Sequence, residues 1–186
     1  WIVDGNPSLD LWSVDIRRFG GSHQSTRYIT DRTLELYGKH YAMSWPYEEH
    51  HAAREIRKSP LYQILKAQGA VYGAKFGWER PNWFAPTGIT PEDELTFERP
   101  NWFEHVGNEH RTIREKVALI DQTSFSKLEV RGSGALAFLQ KLAANNVNKP
   151  VGRLTYTQLC NERGGIECDL TIARRGEEHF YIVTGT

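Results

Sequence analysis

LTYTQLCNERGGIECDLTIARRGEEHFYIVT, residues 154–184, is the stretch whose reading decides the fold class. Leu154 to Cys160 alternates at period two, the pattern of a strand whose two faces meet different surroundings. Asn161 to Gly165, with an Asn and two consecutive glycines, is a turn. Leu170-Thr171-Ile172-Ala173 is a second strand, and His179 to Thr184 is a third after Arg175-Gly176-Glu177. Together they predict an antiparallel meander.

Upstream, Lys127 to Gly132 alternates in the same way, and Ser133-Gly134 opens a helix with Ala135, Leu136, Leu139 and Leu142 facing inward. His105 to Val117 reads as a charged amphipathic helix with Ile113 and Val117 on one face; Leu119-Ile120 and an Asp-Gln-Thr-Ser turn signal follow it. Pro60 starts a helix of two to three turns through Leu61, Ile64 and Leu65, stopped at Gly69. Thr30-Asp31-Arg32-Thr33 offers caps for a helix through Leu34, Leu36 and Tyr37, closed by Gly38. YEEHHAAREIRKS, residues 47–59, is either an exposed helix or an extended connector. The fold class expected is α+β, a mixed α/antiparallel β domain behind a helical or extended linker.

Composition narrows the function. The 186 residues hold 23 Lys+Arg against 23 Asp+Glu, so the chain has no basic excess for nucleic acid or a membrane surface. Six Trp, eight Tyr and eight Phe in a chain 39% hydrophobic are enough to bury a core. No apolar run approaches the roughly 18 residues that span a bilayer, and Trp1 to Asp10 has no signal-peptide pattern. Cys160 and Cys168 are too few for a disulfide framework and fit no common zinc spacing. The run His50-His51 with Glu55 lacks the HExxH order, so no metal site is expected. Met43 is the single methionine and the chain opens on Trp1, so residues upstream are expected. Charge is polarised: Lys127 to Arg175 holds eight basic and four acidic residues, and Glu92 to Glu109 six acidic and one basic.

Glu79-Arg80-Pro81-Asn82-Trp83-Phe84 recurs as Glu98-Arg99-Pro100-Asn101-Trp102-Phe103, 19 residues on and with no third copy. Each Pro pushes the Arg before it away from helical backbone, so both copies should be extended or turn-like, with Trp and Phe anchoring loops to a core.

Several of these segments, in order and spacing, resemble the folate-binding T-protein of the glycine cleavage system. They are Ser59-Pro60-Leu61-Tyr62, Gly69-Ala70, Gly77-Trp78, Ala118 to Asp121, Gly134 to Leu139, and Gly164-Gly165-Ile166-Glu167-Cys168-Asp169-Leu170. The stretch Asp10 to Phe19 (DLWSVDIRRF) together with Gly77 to Phe84 (GWERPNWF) is similar to the dimethylglycine and sarcosine dehydrogenase family. There an FAD-dependent domain precedes a linker and a T-protein-like domain. The resemblance implies that residues 1–19 end the FAD-dependent domain, 20–58 form the linker and 59–186 open the folate-binding domain. It implies a methylamine substrate such as dimethylglycine or sarcosine, tetrahydrofolate as acceptor of the one-carbon unit, and FAD held in a domain outside this chain. No GxGxxG follows any strand here. Partners would be the chain's own upstream FAD domain and the rest of the folate domain downstream, with no nucleic acid and no membrane. The compartment would be the bacterial cytoplasm or the mitochondrial matrix.

Carried over by motif, Asp169 is the catalytic carboxylate: it can hold a reduced pterin's nitrogen by a hydrogen bond and relay a proton. Its plainer alternative is a turn carboxylate after Gly165. Tyr181 and Val183, two apart on one strand, line the pterin pocket in the resemblance, as a core strand also would. Phe125 and Tyr156 match positions that pack on folate, or are plain core. Gly185 stands where many T-proteins have Asn. The acidic and basic folate ligands that complete the family's site are expected beyond Thr186. A stand-alone aminomethyltransferase relative, and a regulatory paralogue without catalysis, are the competing readings.

Overall fold

The computed structural model describes residues 3, 5, 11, 14–16 and 19–185. Half of the Asp10 to Phe19 stretch therefore lies outside the described residues. The chain folds into two compact units, residues 1–119 and 120–186.

In the first unit, helix α1 (Thr26–Lys39) starts four residues before the expected Thr30 cap, because Ser25 caps it: its hydroxyl accepts the Tyr28 N–H at 3.2 Å. Residues 47–59 form no helix, which resolves the open alternative in favour of the connector. Tyr47, Ala53 and Glu55 hold positive φ there. The connector is fixed by side chains. Glu35 on α1 accepts the His51 and Ala52 N–H groups at 2.9 and 2.8 Å, and Arg32 donates to the Ala52 carbonyl at 2.8 Å.

Helix α2 (Tyr62–Ala67) ends at Gly69, whose φ of +90° and contact with the Ala85 carbonyl leave no room for a Cβ. The expected inner face is wrong: Tyr62 is buried while Leu61 and Ile64 are exposed. Tyr62 wins because its ring lies against Tyr72, with centroids 4.5 Å apart, and its hydroxyl reaches Glu55 at 3.0 Å.

Strands β1 (Ala70–Lys75) and β2 (Trp78–Phe84) form a hairpin turned at Phe76-Gly77. The sequence reading had no strand at β1. The first copy of the echo is β2 itself; Pro81, which has no N–H to give the ladder, falls where the register shifts opposite Tyr72. The second copy instead runs from a bend through Trp102 into helix α3 (Phe103–Glu115). Trp83 is 1% exposed and packs with Val71, Ala85, Trp102 and Val106. Its indole N–H donates to Asp93 at 2.7 Å, and its ring stacks on His105. The expected inner face of α3 is also corrected: Ile113 and Val117 are exposed, and Trp102 and Val106 pack on the core.

The second unit is a four-stranded antiparallel sheet with the order β3-β6-β5-β4, made of β3 (Ser126–Arg131), β4 (Leu154–Cys160), β5 (Ile166–Gly176) and β6 (His179–Thr184). The expected meander is β4-β5-β6, and β3 pairs on the far side of β6. Helix α4 (Ala135–Leu142) buries Ala135 and Leu139 with Val147, Leu170, Ile172, Phe180 and Ile182. Leu142, expected inward, is 40% exposed at the last turn of that helix. The β4–β5 turn shows why the sequence has two glycines. Gly164 holds φ +80°, and a Cβ on Gly165 would stand 2.9 Å from the Asn161 amide. That amide is in use, since Asn161 Oδ1 accepts the Arg163 and Gly165 N–H groups at 3.0 and 2.9 Å.

Candidate functional site

Strand parity sorts the second unit's side chains into two faces. Leu170 and Ile172 on β5 and Phe180 and Ile182 on β6 point to the core. The opposite parity leaves Asp169, Thr171 and Ala173 on the other face of β5. Cross-strand pairing then fixes what joins them: Gln158 opposite Asp169, Tyr156 and Val183 opposite Thr171, and Tyr181 opposite Ala173. Four of the five expected site residues, Tyr156, Asp169, Tyr181 and Val183, thus share one face. Phe125 lies outside that register. It is half-buried in the turn before Ser126, closed by its own N–H to the Gln122 carbonyl at 3.1 Å.

Asp169 is exposed, not capping the turn that its plainer reading assigned to it. The turn is capped by Asn161, whose amide also donates to Glu167 at 2.7 Å. The Tyr156 hydroxyl donates to Asp169 Oδ2 at 3.0 Å, and among the described residues no other group bonds that carboxylate. The Thr184 hydroxyl donates to the Asp169 carbonyl at 2.6 Å, tying β6 to the backbone that presents the carboxylate. Tyr156 itself is 58% exposed, so it is not the plain core residue its sequence context allowed.

Thr171 and Thr184 were missed by the sequence reading. Period two from Asp169 would have placed Thr171 on the face, and nothing in the sequence marks Thr184. Further along the same face, Glu129 gathers His179 at 3.1 Å, Arg131 at 2.6 Å and Arg175 at 3.8 Å. The His179 hydrogen bond first, then Arg131, holds the Glu129 carboxyl below its ordinary range. Arg175 lies 5.9 Å from the Tyr181 ring centroid.

The face fits a flat heterocycle with a polar edge. It offers two tyrosyl rings and Val183 for contact, and one carboxylate, oriented by Tyr156, with the chemistry to accept from N–H groups. Among the described residues no group of three or more His, Cys, Asp or Glu side chains is placed to hold a metal ion, and no helix is long and apolar enough to cross a membrane.

Comparison with known proteins places these features. Residues 61–186 match the family described as GCVT N-terminal domain, and residues 4–59 match the FAD dependent oxidoreductase central domain. The chain is 39% identical over 184 residues to a 4-methylaminobutanoate oxidase (formaldehyde-forming) of Paenarthrobacter nicotinovorans, covering 99% of this chain and 22% of that protein. It is 37% identical over 191 residues to the mitochondrial pyruvate dehydrogenase phosphatase regulatory subunit of Mus musculus, covering 100% of this chain and 22% of that protein. It is 33% identical over 204 residues to the mitochondrial sarcosine dehydrogenase of Homo sapiens, covering 96% of this chain and 22% of that protein. The chain therefore spans about a fifth of the length of these relatives. Among solved structures, the glycine cleavage system aminomethyltransferase T from Bartonella henselae matches with a TM-score of 0.56 and 27% identity, over 69% of this chain and 31% of that one. The mixed α/antiparallel β fold is thus that of a T-protein in part. The two family matches stand in the order that the resemblance to dimethylglycine and sarcosine dehydrogenases implied, and the chain belongs to the GCVT N-terminal domain family.

Proposed function

We propose that this chain is the segment of an FAD- and tetrahydrofolate-dependent oxidoreductase that presents part of the folate site, in a parent protein that demethylates an N-methyl amine such as dimethylglycine or sarcosine. The observation that supports it is the single sheet face on which Tyr156, Asp169, Tyr181 and Val183 meet, with the Tyr156 hydroxyl on the Asp169 carboxylate. When bound, FAD supplies the acceptor for the hydride equivalent of the amine, and tetrahydrofolate supplies the acceptor for the one-carbon unit. Asp169 is the catalytic residue of the segment: its carboxylate holds an N–H edge and takes up or returns a proton there. Tyr156 aims that carboxylate, and Tyr181 and Val183 form the surface a planar ring lies on. FAD is held by an upstream domain, and other folate ligands by a downstream one. The parent works in the mitochondrial matrix of a eukaryote or the cytoplasm of a bacterium.

The test is Asp169→Asn in the parent protein. The flavin should still be reduced by the amine, while the one-carbon product appears as free formaldehyde in place of methylene-folate. Unchanged methylene-folate output removes Asp169 from the reaction.

A second reading is favoured by the 37% identity to a regulatory subunit: a parent that keeps the fold and has no amine oxidation of its own. Flavin bleaching by dimethylglycine or sarcosine under anaerobic conditions separates the two, since only the enzyme bleaches.

A further inference from the structure

In the first unit, α1, the connector around His50 to Ile56 and the turn of the β1–β2 hairpin surround a cavity of about 840 Å³. That size is ordinary for a small-molecule site. Ile29, Ile56 and Phe76 give it an apolar wall, and Arg32, His50 and His23 are among its polar groups.

Two of those groups are incomplete. Arg32 Nε and His50 Nδ1 are shut from solvent and have no hydrogen-bond partner among the described residues. Only the other end of the guanidinium is used, by Nη2 donating to the Ala52 carbonyl. His50 Nδ1 stands 3.9 Å from the Glu35 carboxylate, beyond a hydrogen bond. Buried polar atoms almost always have a partner, so two orphaned nitrogens on side chains of one cavity point to an absent acceptor.

Charge gives its sign. Burial first pushes both His23 and His50 below their ordinary value; at His23 a bond to the Gly20 backbone opposes it and Arg57 and Arg32 add to it, and at His50 Arg32 adds to it, so both imidazoles are neutral at pH 7. The Glu79 carboxylate in the wall is taken up by Arg54, through Nε at 2.9 Å and through Nη2. Among the described residues no carboxylate pairs with Arg32, and its guanidinium matches a carboxylate.

We propose that this cavity binds a small carboxylate with an apolar body, the carboxylate lying against Arg32 with the His50 imidazole as a further donor, and the body against Ile29, Ile56 and Phe76. The site is in a different unit from the sheet face around Asp169, and it does not depend on the folate reading.

The test titrates the full 186-residue chain with phenylacetate, and in parallel with 2-phenylethylammonium and 2-phenylethanol. The ring signals of His23 and His50 are followed by NMR. Phenylacetate should shift both signals saturably, and the ammonium and the alcohol should not. Arg32→Gln should weaken phenylacetate roughly tenfold or more, the usual cost of losing a charge-assisted pair. Because Arg32 also holds Ala52, a second variant leaves it untouched: Ile29→Trp fills the cavity from α1 and should abolish the shifts while the chain stays folded. If Arg32→Gln does not fold, Ile29→Trp decides. No saturable shift with phenylacetate, equal binding of the ammonium, or undiminished binding in a folded Ile29→Trp overturns the proposal.

Discussion

Replacing Glu35 by Gln tests how the first unit holds its connector. The Glu35 side chain is 11% exposed and accepts three hydrogen bonds: the His51 N–H on Oε1, the Ala52 N–H on Oε2, and the Lys39 ammonium at 3.1 Å. Burial alone would push its carboxyl up, but the two backbone donors and Lys39 outweigh it and hold the pKa down at about 2, from an ordinary 4.5. At 1.36 kcal/mol per unit, that difference is worth about 3 kcal/mol of stability at neutral pH. Because the folded-state value lies below the unfolded one, the contribution is complete above about pH 5 and declines as the pH falls toward 2. About half is left at pH 3. Glu35→Gln keeps one acceptor oxygen and loses the charge, so it should cost about 2–3 kcal/mol at pH 7 and clearly less at pH 3. All six Trp lie at or before residue 102, so urea unfolding followed by Trp fluorescence reads the first unit alone. With a slope of about 2 kcal/mol/M, the midpoint should fall by roughly 1–1.5 M at pH 7. A shift under about 0.3 M at pH 7, or the same shift at pH 7 and pH 3, would show that the carboxylate does not anchor residues 51 and 52 in the way the hydrogen bonds indicate.

In the second unit, Phe180 is fully buried among Leu170, Ile172 and Ile182, and Phe180→Ala should cost about 3–5 kcal/mol, read by thermal loss of the strand circular-dichroism signal. An unchanged midpoint would put the core elsewhere. Gly164→Ala and Gly152→Ala each force a Cβ into positive φ, +80° and +90°, with open space around it, so each should cost about 1 kcal/mol in the same assay from the backbone alone. Tyr156→Phe keeps the ring and removes the donor to Asp169. In the parent protein it should slow methylene-folate formation by roughly tenfold, while Tyr156→Leu should in addition weaken folate binding. An unchanged rate in Tyr156→Phe would show that the hydroxyl does not orient the carboxylate for the reaction.

The second unit was legible because its signals are local. Period two placed β3, β4 and β6, the Asn-to-Gly-Gly turn placed the bend between β4 and β5, and the spacing of Ala135 and Leu139 placed the inner face of α4. The first unit was less so. Leu61, Ile64, Ile113 and Val117 have the helical spacing that predicts burial, yet Tyr62 and Trp102 take the inward positions because aromatic partners await both there, and a carboxylate acceptor awaits Tyr62. The two ERPNWF copies make the same point: one is a strand and the other leads into a helix, since Ala70 to Lys75 pairs with the first and no strand pairs with the second.

By itself, then, the sequence determined the α+β class, the strands along residues 126–184, the order of the two family segments and Asp169 as the residue to watch, because periodicity, turn chemistry and motif spacing are properties of neighbouring residues. The tertiary structure alone decided what those residues meet. Register brings Tyr156, 13 positions away, onto the Asp169 carboxylate. Packing of α1 and the hairpin around the connector leaves Arg32 and His50 with orphaned nitrogens in one cavity. Both depend on contacts between segments far apart in the chain, which no local pattern encodes.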